Sequence, residues 1–518
     1  MNFRRLLSCG LAVLLVLLTM AGCGSDNGAK QGKEERAGGG QEDGSGKLDP
    51  VTLKIMIPGD RPADMDKVLR EAENRMADTL NVKLNVVFVP FSDLGQKTQM
   101  TLASGEEIDL IFDAPWLHVN QMISAGFYEP VEDLLKQYGP NIINSRPEEM
   151  WESNKFDGKI YGIPLGSSHA MGTTYLVRKD IREKLGIPPI QTYDDLIKFA
   201  YTVQEKEPNL VPFLPIGQDS QKYMSEASFR MHFDYDTRIQ KTHALGSTIV
   251  LYYKNNDGKV YNLFEEMEPK VWDWILNARK LYNDKIIHPD VLAIKDTDEE
   301  FRSGKIAIHN TNDFGVKDKD KQAIAQNVPG GEVEAVTFFD MTPKKNISNF
   351  KQWNFLFVPA VSKHKERAIQ FLNWTQEKEN YDLLAYGIQG ENWEPVGEDQ
   401  YKMLNDKYTW FPYAWIWNPI HDRLNASDPE EVIELNKFLR KADHFEKDIL
   451  TGFEFVSEPA ANEIAKYNTI EAKYFTAIFN GVVDPDEYWT KFKEEAAPTL
   501  KIIQDELQKQ IDAFLAKR

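Results

Sequence analysis

Residues 51–116 read VTLKIMIPGDRPADMDKVLREAENRMADTLNVKLNVVFVPFSDLGQKTQMTLASGEEIDLIFDAPW, and the expected architecture grows out of this run. Val51 to Ile57 alternates in strand fashion and stops at Pro58-Gly59. From Ala63 to Leu80 the apolar residues Met65, Val68, Leu69, Ala72 and Met76 carry helical spacing. A second strand is expected over Lys83 to Val89 and a helix over Gln96 to Ala103, closed by Ser104-Gly105. Ile108 to Phe112 then reads as a short buried strand that leaves through Asp113-Ala114-Pro115-Trp116. Strands alternating with helices predict a parallel sheet with crossover helices. Ligands of such sheets sit beyond the carboxyl ends of the strands, which singles out Asp60, Arg61, Asp113 and Trp116.

Farther along, Phe156 to Pro164 is a tight turn between short strand-forming runs, and a new strand is expected from Thr173 to Arg178. Ser247 to Tyr253 and Lys259 to Leu263 flank Asn255-Asn256-Asp257-Gly258 and predict a β-hairpin. That turn fails as a calcium loop: Gly258 in sixth place puts Tyr253 first and Phe264 twelfth, and neither is a ligand. Thr297 with Glu300 reads as a capping box for a one-turn helix before the strand Lys305 to His309, whose exit is Asn310, Thr311, Asn312, Asp313. A strand over Asn354 to Pro359, a helix over Lys363 to Glu377 and an amphipathic helix from Asp486 to Lys517 complete the reading.

At the amino end, Arg4 and Arg5 precede an apolar run from Leu11 to Leu18 that closes on Ala21-Gly22 before Cys23. The run is too short to span a bilayer as a helix. It fits a lipoprotein signal peptide over 1–22, with lipidation at Cys23 and Met20 standing where leucine is commoner. Gly24 to Asp49 has almost nothing to bury and reads as a flexible tether with an r.m.s. reach of roughly 28 Å. Cys9 leaves with the signal peptide, so the mature chain has neither a disulfide nor a cysteine-metal site. Losing Arg4 and Arg5 takes the formal charge from -19 to -21, which disfavours nucleic acid and anionic membrane as direct partners. The expected location is the outer face of the cytoplasmic membrane, lipid-anchored, as in a Gram-positive cell. The 469 residues from Pro50 onward exceed one ordinary core and suggest two lobes.

Seven segments in order, GEEIDLIFDAPW (105–116), SAGFYEPVEDLLKQYGPN (124–141), FDGKIYGIPLGSS (156–168), FRSGKIAIHNTND (301–313), FLFVPAVSKHKERAIQFLNW (355–374), ENYDLLAYGIQG (379–390) and GFEFVSEPAANEIA (452–465), resemble one known family. It is that of the extracellular solute-binding lipoproteins of ABC importers, in the large branch associated with sugars and oligosaccharides. The resemblance implies an α/β, two-lobed, periplasmic-binding-protein-like fold of type II with discontinuous lobes that close on a ligand in the cleft between them. It places lobe 1 at 51–164 with about 352–399, and lobe 2 at about 165–351 with about 400–518. It also implies a monomer without cofactor or catalytic residue, partnered by a carbohydrate ligand, membrane permease subunits and a separate ATPase.

A sugar site needs aromatic faces for the rings and fixed polar groups for the hydroxyls. Trp116 and Asp113 supply one of each. Six aromatics crowd Tyr408 to Pro419, and strand-like spacing there would put Phe411, Tyr413, Trp415 and Trp417 on one face. Trp410, Trp415 and Trp417 are therefore candidate stacking platforms, although lobe packing explains each of them as well. Asp60, Arg61, Asn310 and Asn312 follow strands where the family's cleft would lie, and Ser168 and His169 follow an expected crossing between lobes. Among 80 acidic residues some carboxylate pair falls at glycosidase spacing by accident, so a surface-anchored glycoside hydrolase stays as an alternative, beside a binding protein for peptides. The nine histidines are scattered singly and no metal site is expected.

Overall fold

The computed structural model describes residues 48–166, 169, 174–215, 238–245, 249–294, 296–311, 315–410 and 415–518. The signal peptide, Cys23 and all but the last two residues of the tether lie outside the described residues, as do Ser168 and Asn312. The body from Lys47 to Arg518 is one compact unit.

The first sheet has the order β2-β1-β3-β13-β4, with β1 at Val51–Pro58, β2 at Val82–Val89, β3 at Leu110–Asp113, β4 at Gly162–Leu165 and β13 at Asn354–Phe357. β1 runs parallel to β2 from Val51 opposite Val82 to Pro58 opposite Val89, and parallel to β3 as well. Helix α1 (Met65–Met76) covers the sheet with the five expected apolar residues, and α2 (Leu94–Ala103) crosses over to β3. Helix α1 is shorter at both ends than the expected Ala63 to Leu80 span; Asn81, at φ 49°, turns the chain into β2. The parallel pairing expected for the strands of residues 51–112 is present in β1, β2 and β3, while the sheet as a whole is mixed. β13 is antiparallel to both neighbours, pairing Phe355 with Asp113 and Phe357 with Gly162. The chain returns to this sheet only after completing another one, and it enters at the end where β1, β2 and β3 leave.

The second sheet, in the order β11-β5-β10-β6, comprises β5 (Thr174–Arg178), β6 (Val211–Leu214), β10 (Ile306–Thr311) and β11 (Val333–Val336). β10 runs two residues beyond the expected His309, and all six of its residues are buried. The helix Thr297–Arg302 before it is capped one residue earlier than expected: the Asp296 carboxylate accepts the Glu299 N–H at 2.9 Å, while Thr297 is buried. His309 bridges this helix and β6, from Asp298 at 2.9 Å to the Leu214 carbonyl at 2.8 Å.

A third hydrophobic cluster unites β7 (Ile239–Lys241), β8 (Leu251–Lys254) and β9 (Tyr261–Asn262) with the helices Pro269–Asn283, Ala461–Phe479 and Pro485–Leu515. The expected hairpin is there, with Leu251 opposite Asn262 and Tyr252 opposite Tyr261. In the last helix Trp489, Phe492, Ala496, Leu500, Ile503, Leu507 and Ile511 form one buried stripe at helical spacing. The first cluster, built on residues 53–165 and 355–386, reaches on to Trp393, Tyr408, Trp415, Ile416 and Trp417. It therefore includes part of the chain that the sequence reading assigned to lobe 2.

Candidate ligand-binding site

Four strands of the first sheet bring their ends to one edge. β1 leaves through Gly59, at φ 112° a conformation that side chains oppose, and its N–H donates to the Val89 carbonyl at 2.8 Å. Asp60 and Arg61 follow, both exposed. Arg61 is anchored: it donates to the Val86 carbonyl at 2.7 Å and to Asp66 at 2.5 Å, and its guanidinium lies 5.7 Å from the Phe88 ring centre. Trp410 packs edge-on to the same Phe88 at 6.0 Å and to Trp415 at 5.5 Å. The structure thus joins Arg61 and Trp410 through one phenylalanine. Trp410 is half-buried, and its indole N–H has no hydrogen-bond partner among the described residues.

β3 leaves through Asp113, which faces inward. Its carboxylate is fully buried, accepting the Ala114 N–H at 2.7 Å and the Tyr128 hydroxyl at 2.8 Å. Burial pushes its pKa up against these two bonds. Asp113 shapes the strand's exit and offers no open carboxylate to a ligand, which corrects the expectation for it. Trp116, three residues on, is 49 % exposed. Its N–H donates to the Asn354 side chain at 3.2 Å, so the ring's edge is fixed at the start of β13. Trp353, immediately before, is 50 % exposed. All eleven tryptophans are described, and these two alone are exposed. The sequence reading missed Trp353; only the antiparallel entry of β13 brings it to this edge.

Trp415 and Trp417 are each 1 % exposed and belong to the first core. No strand forms around them among the described residues: Trp415-Ile416 is a turn, and three consecutive residues are buried, so alternation does not apply. Arg146 explains the fixation. Its buried guanidinium bonds to the carbonyls of Ile142, Pro164 and Trp417 at 3.1, 3.0 and 2.8 Å and lies 5.6 Å from the Trp417 ring centre. Desolvation lowers its pKa to about 9. The carbonyls it needs hold residue 417 inside.

Asn310 is fully buried within β10 rather than in an exit loop. His169 is 7 % exposed, with Phe350 at 5.2 Å and Phe445 at 6.2 Å between ring centres. Its backbone N–H donates to the Leu439 carbonyl at 3.0 Å, and its backbone carbonyl accepts the Ser348 hydroxyl. Here β12 (Ile347–Ser348) pairs in parallel with Glu446–Lys447, so His169 joins segments from three parts of the chain. It packs where these three segments meet. Among the described residues no group of three or more His, Cys, Asp or Glu is placed to hold a metal, and no helix is long and apolar enough to cross a membrane.

Two α/β bodies with a discontinuous first sheet, and half-exposed indoles at that sheet's carboxyl edge, define a binding protein of the two-lobed solute-capturing class. Residues 71–382 match the bacterial extracellular solute-binding protein family, and the chain belongs to it. Residues 449–516 match a second family, described as a domain of unknown function, DUF3502. A carbohydrate ABC transporter substrate-binding protein of Streptococcus pneumoniae serotype 4 is 24 % identical over 534 positions, spanning 100 % of this chain and 99 % of that one. Among solved structures, the N-glycan transport solute binding protein NgtS of Streptococcus pneumoniae aligns with a TM-score of 0.70 at 22 % identity, covering 90 % of this chain and 99 % of its own. An HMO-binding solute-binding protein of Bifidobacterium longum infantis aligns at 0.62 and 18 % identity, covering 91 % and 99 %.

Proposed function

We propose that this chain captures an extracellular oligosaccharide between its two lobes and presents it, unaltered, to the permease of an ABC importer. Lobe 1 is the body of the first sheet; lobe 2 comprises the second sheet with the hairpin and C-terminal helices. Trp116 is the observation that carries the reading. An indole whose N–H is already bonded to Asn354 has a fixed orientation and a free apolar face, which suits the apolar face of a sugar ring. Asp60, Arg61 and Trp410 line the same wall in this proposal, and Ser168 and Asn312 are further ligand contacts in it. The family and the relatives' carbohydrate specificities support the same assignment. Anchorage through a lipid on Cys23, a monomeric state and the lack of turnover are parts of the proposal that rest on the sequence reading.

The test is the melting temperature of the body from Lys47 to Arg518, measured with a panel of oligosaccharides, peptides and metal ions. A ligand at 100 times its dissociation constant stabilises the folded state by about 2.7 kcal/mol. Stabilisation by one glycan class, with the glycan recovered intact by chromatography, is the expected result. Stabilisation by peptides alone, or shortened glycan products, would overturn the reading.

A further inference from the structure

We infer that Phe350 is the pivot about which the two lobes move, a joint whose strained backbone sets the balance between their open and closed arrangements. This rests on the reading of two lobes that close on a ligand and goes further, because it places the motion at one residue. Phe350 is 3 % exposed and has φ 56°, a left-handed conformation that a large side chain adopts only at a cost. The other described non-glycine residues with left-handed backbone are Asn, Asp, Arg and Lys in exposed or half-buried positions, where turns accept them. Turn chemistry does not account for a buried aromatic held this way. Such strain persists only where the surroundings impose it, and it gathers at switch regions.

The surroundings here are two crossings of the chain laid side by side. One leads from β4 of the first sheet to β5 of the second and contains His169; the other leads from β11 of the second sheet back to β13 of the first and contains Phe350. The Ser348 hydroxyl accepts the Phe350 N–H at 3.1 Å and donates to the His169 backbone carbonyl, and the Phe350 and His169 ring centres are 5.2 Å apart. The crossings touch again where the Gln352 side chain fills the space that a Cβ at Gly166 would need. On its other side Phe350 is tied to the first lobe. The Asn154 side chain donates to the Phe350 carbonyl at 2.9 Å and to the Met150 carbonyl at 2.7 Å, and it accepts the Gln352 N–H at 2.8 Å. Met150 lies in the helix Glu148–Ser153 and is buried in the first core. The N–H of Phe350 is thus anchored to the crossings and its carbonyl to the first lobe. Rotation about the two bonds at its own Cα turns one anchor against the other.

The experiment compares Phe350→Ala with Phe350→Gly in the body from Lys47. Both remove the ring, and they differ by one methyl group, which opposes left-handed backbone in alanine and is absent from glycine. Open and closed arrangements are both folded, so the extra freedom that glycine gives the unfolded chain does not enter their balance. Dissociation constants are measured by titration calorimetry for gluco-, xylo-, manno- and fructo-oligosaccharides, and unliganded radii of gyration by small-angle X-ray scattering. A pivot leaves the left-handed region in one of the two arrangements, so the dissociation constants of Phe350→Ala and Phe350→Gly should differ about fivefold or more. Equal constants would mean that Phe350 keeps one conformation throughout and would overturn the inference. Should either variant fail to fold or to bind, crystals of the unaltered protein with and without its glycan decide: φ of Phe350 changing sign between them is expected, and the same sign in both contradicts the pivot. Failure of the unaltered protein to bind any member would instead overturn the oligosaccharide reading, and a difference in unliganded radius between the two variants, or its absence, still decides for or against the pivot.

Discussion

Tryptophans separate the two jobs that aromatics do in this chain. Trp415 sits in a closed core, so Trp415→Ala should cost about 3–5 kcal/mol and lower the denaturant midpoint. Trp116→Ala removes a half-exposed ring, and it should leave the midpoint nearly unchanged while weakening glycan binding about tenfold. The opposite pattern in either variant would reverse the two assignments. Residue type and density were legible in the sequence, but the side on which each ring falls was not. That depends on Arg146, whose need for carbonyl partners draws Trp417 inward, and on β13, whose direction brings Trp353 to the site edge. Titration gives a second check at this scale. Burial lowers the pKa of His169 from the usual 6.5 to about 4, with a bond to the Arg440 backbone and the charge of Glu149 acting the other way. The folded state then binds this proton more weakly than the unfolded chain. The stabilisation is complete above about pH 6.5 and shrinks as pH falls toward 4. His169→Phe keeps an aromatic ring between Phe350 and Phe445 and removes the proton. Its stability relative to the unaltered protein should therefore rise as pH drops across that window, as followed by urea unfolding at several pH values. A constant difference would remove His169 from the pH response.

At the scale of elements, one cluster of charges governs how the aromatic segment meets the first lobe. Arg423 makes a two-pronged pair with Asp382, both bonds at 2.9 Å, and lies 5.1 Å from the Trp393 ring centre. Beside it the Asp422 carboxylate accepts the Tyr381 and Tyr386 hydroxyls at 3.1 and 2.9 Å and pairs with Arg440 at 2.6 Å. The helix Lys378–Tyr386 is thereby fastened to residues 418–425 and to the end of the helix Glu430–Leu439. Asp382→Ala leaves a buried guanidinium without its carboxylate and should cost about 3–5 kcal/mol, read from urea unfolding. A loss below 1 kcal/mol would mean the pair is dispensable. Periodicity located several of the strands and helices that build the lobes, because β1, α1, β2 and the last helix carry their apolar residues at strand or helix spacing. It failed where long-range pairing decides. The direction of β13 follows from where the chain has been, and the cap at Asp296 competes with an equally plausible Thr297 one residue away.

For the whole molecule, the matched segment of unknown function gains a structural role. Leu450, Phe453 and the stripe of the last helix share a core with β8 and the helix Pro269–Asn283, so residues 449–516 are built into the third hydrophobic cluster. Beside this cluster, Lys447 reaches Glu152 of the helix Glu148–Ser153 at 3.1 Å, Arg518 pairs with the same carboxylate, and Glu454 accepts the Asp157 N–H at 3.1 Å. Removing residues 449–518 should expose that core and abolish a soluble folded product. The two-lobed class was legible from the order of seven segments. The split of the first lobe was legible only in part, since a core that recruits Trp415 and Trp417 is set by packing rather than by spacing. Lobe closure on a captured glycan is the central claim, and small-angle X-ray scattering of the body from Lys47 with and without a stabilising oligosaccharide tests it most directly. A smaller radius of gyration on saturation is the predicted result; binding with an unchanged radius would contradict capture by closure.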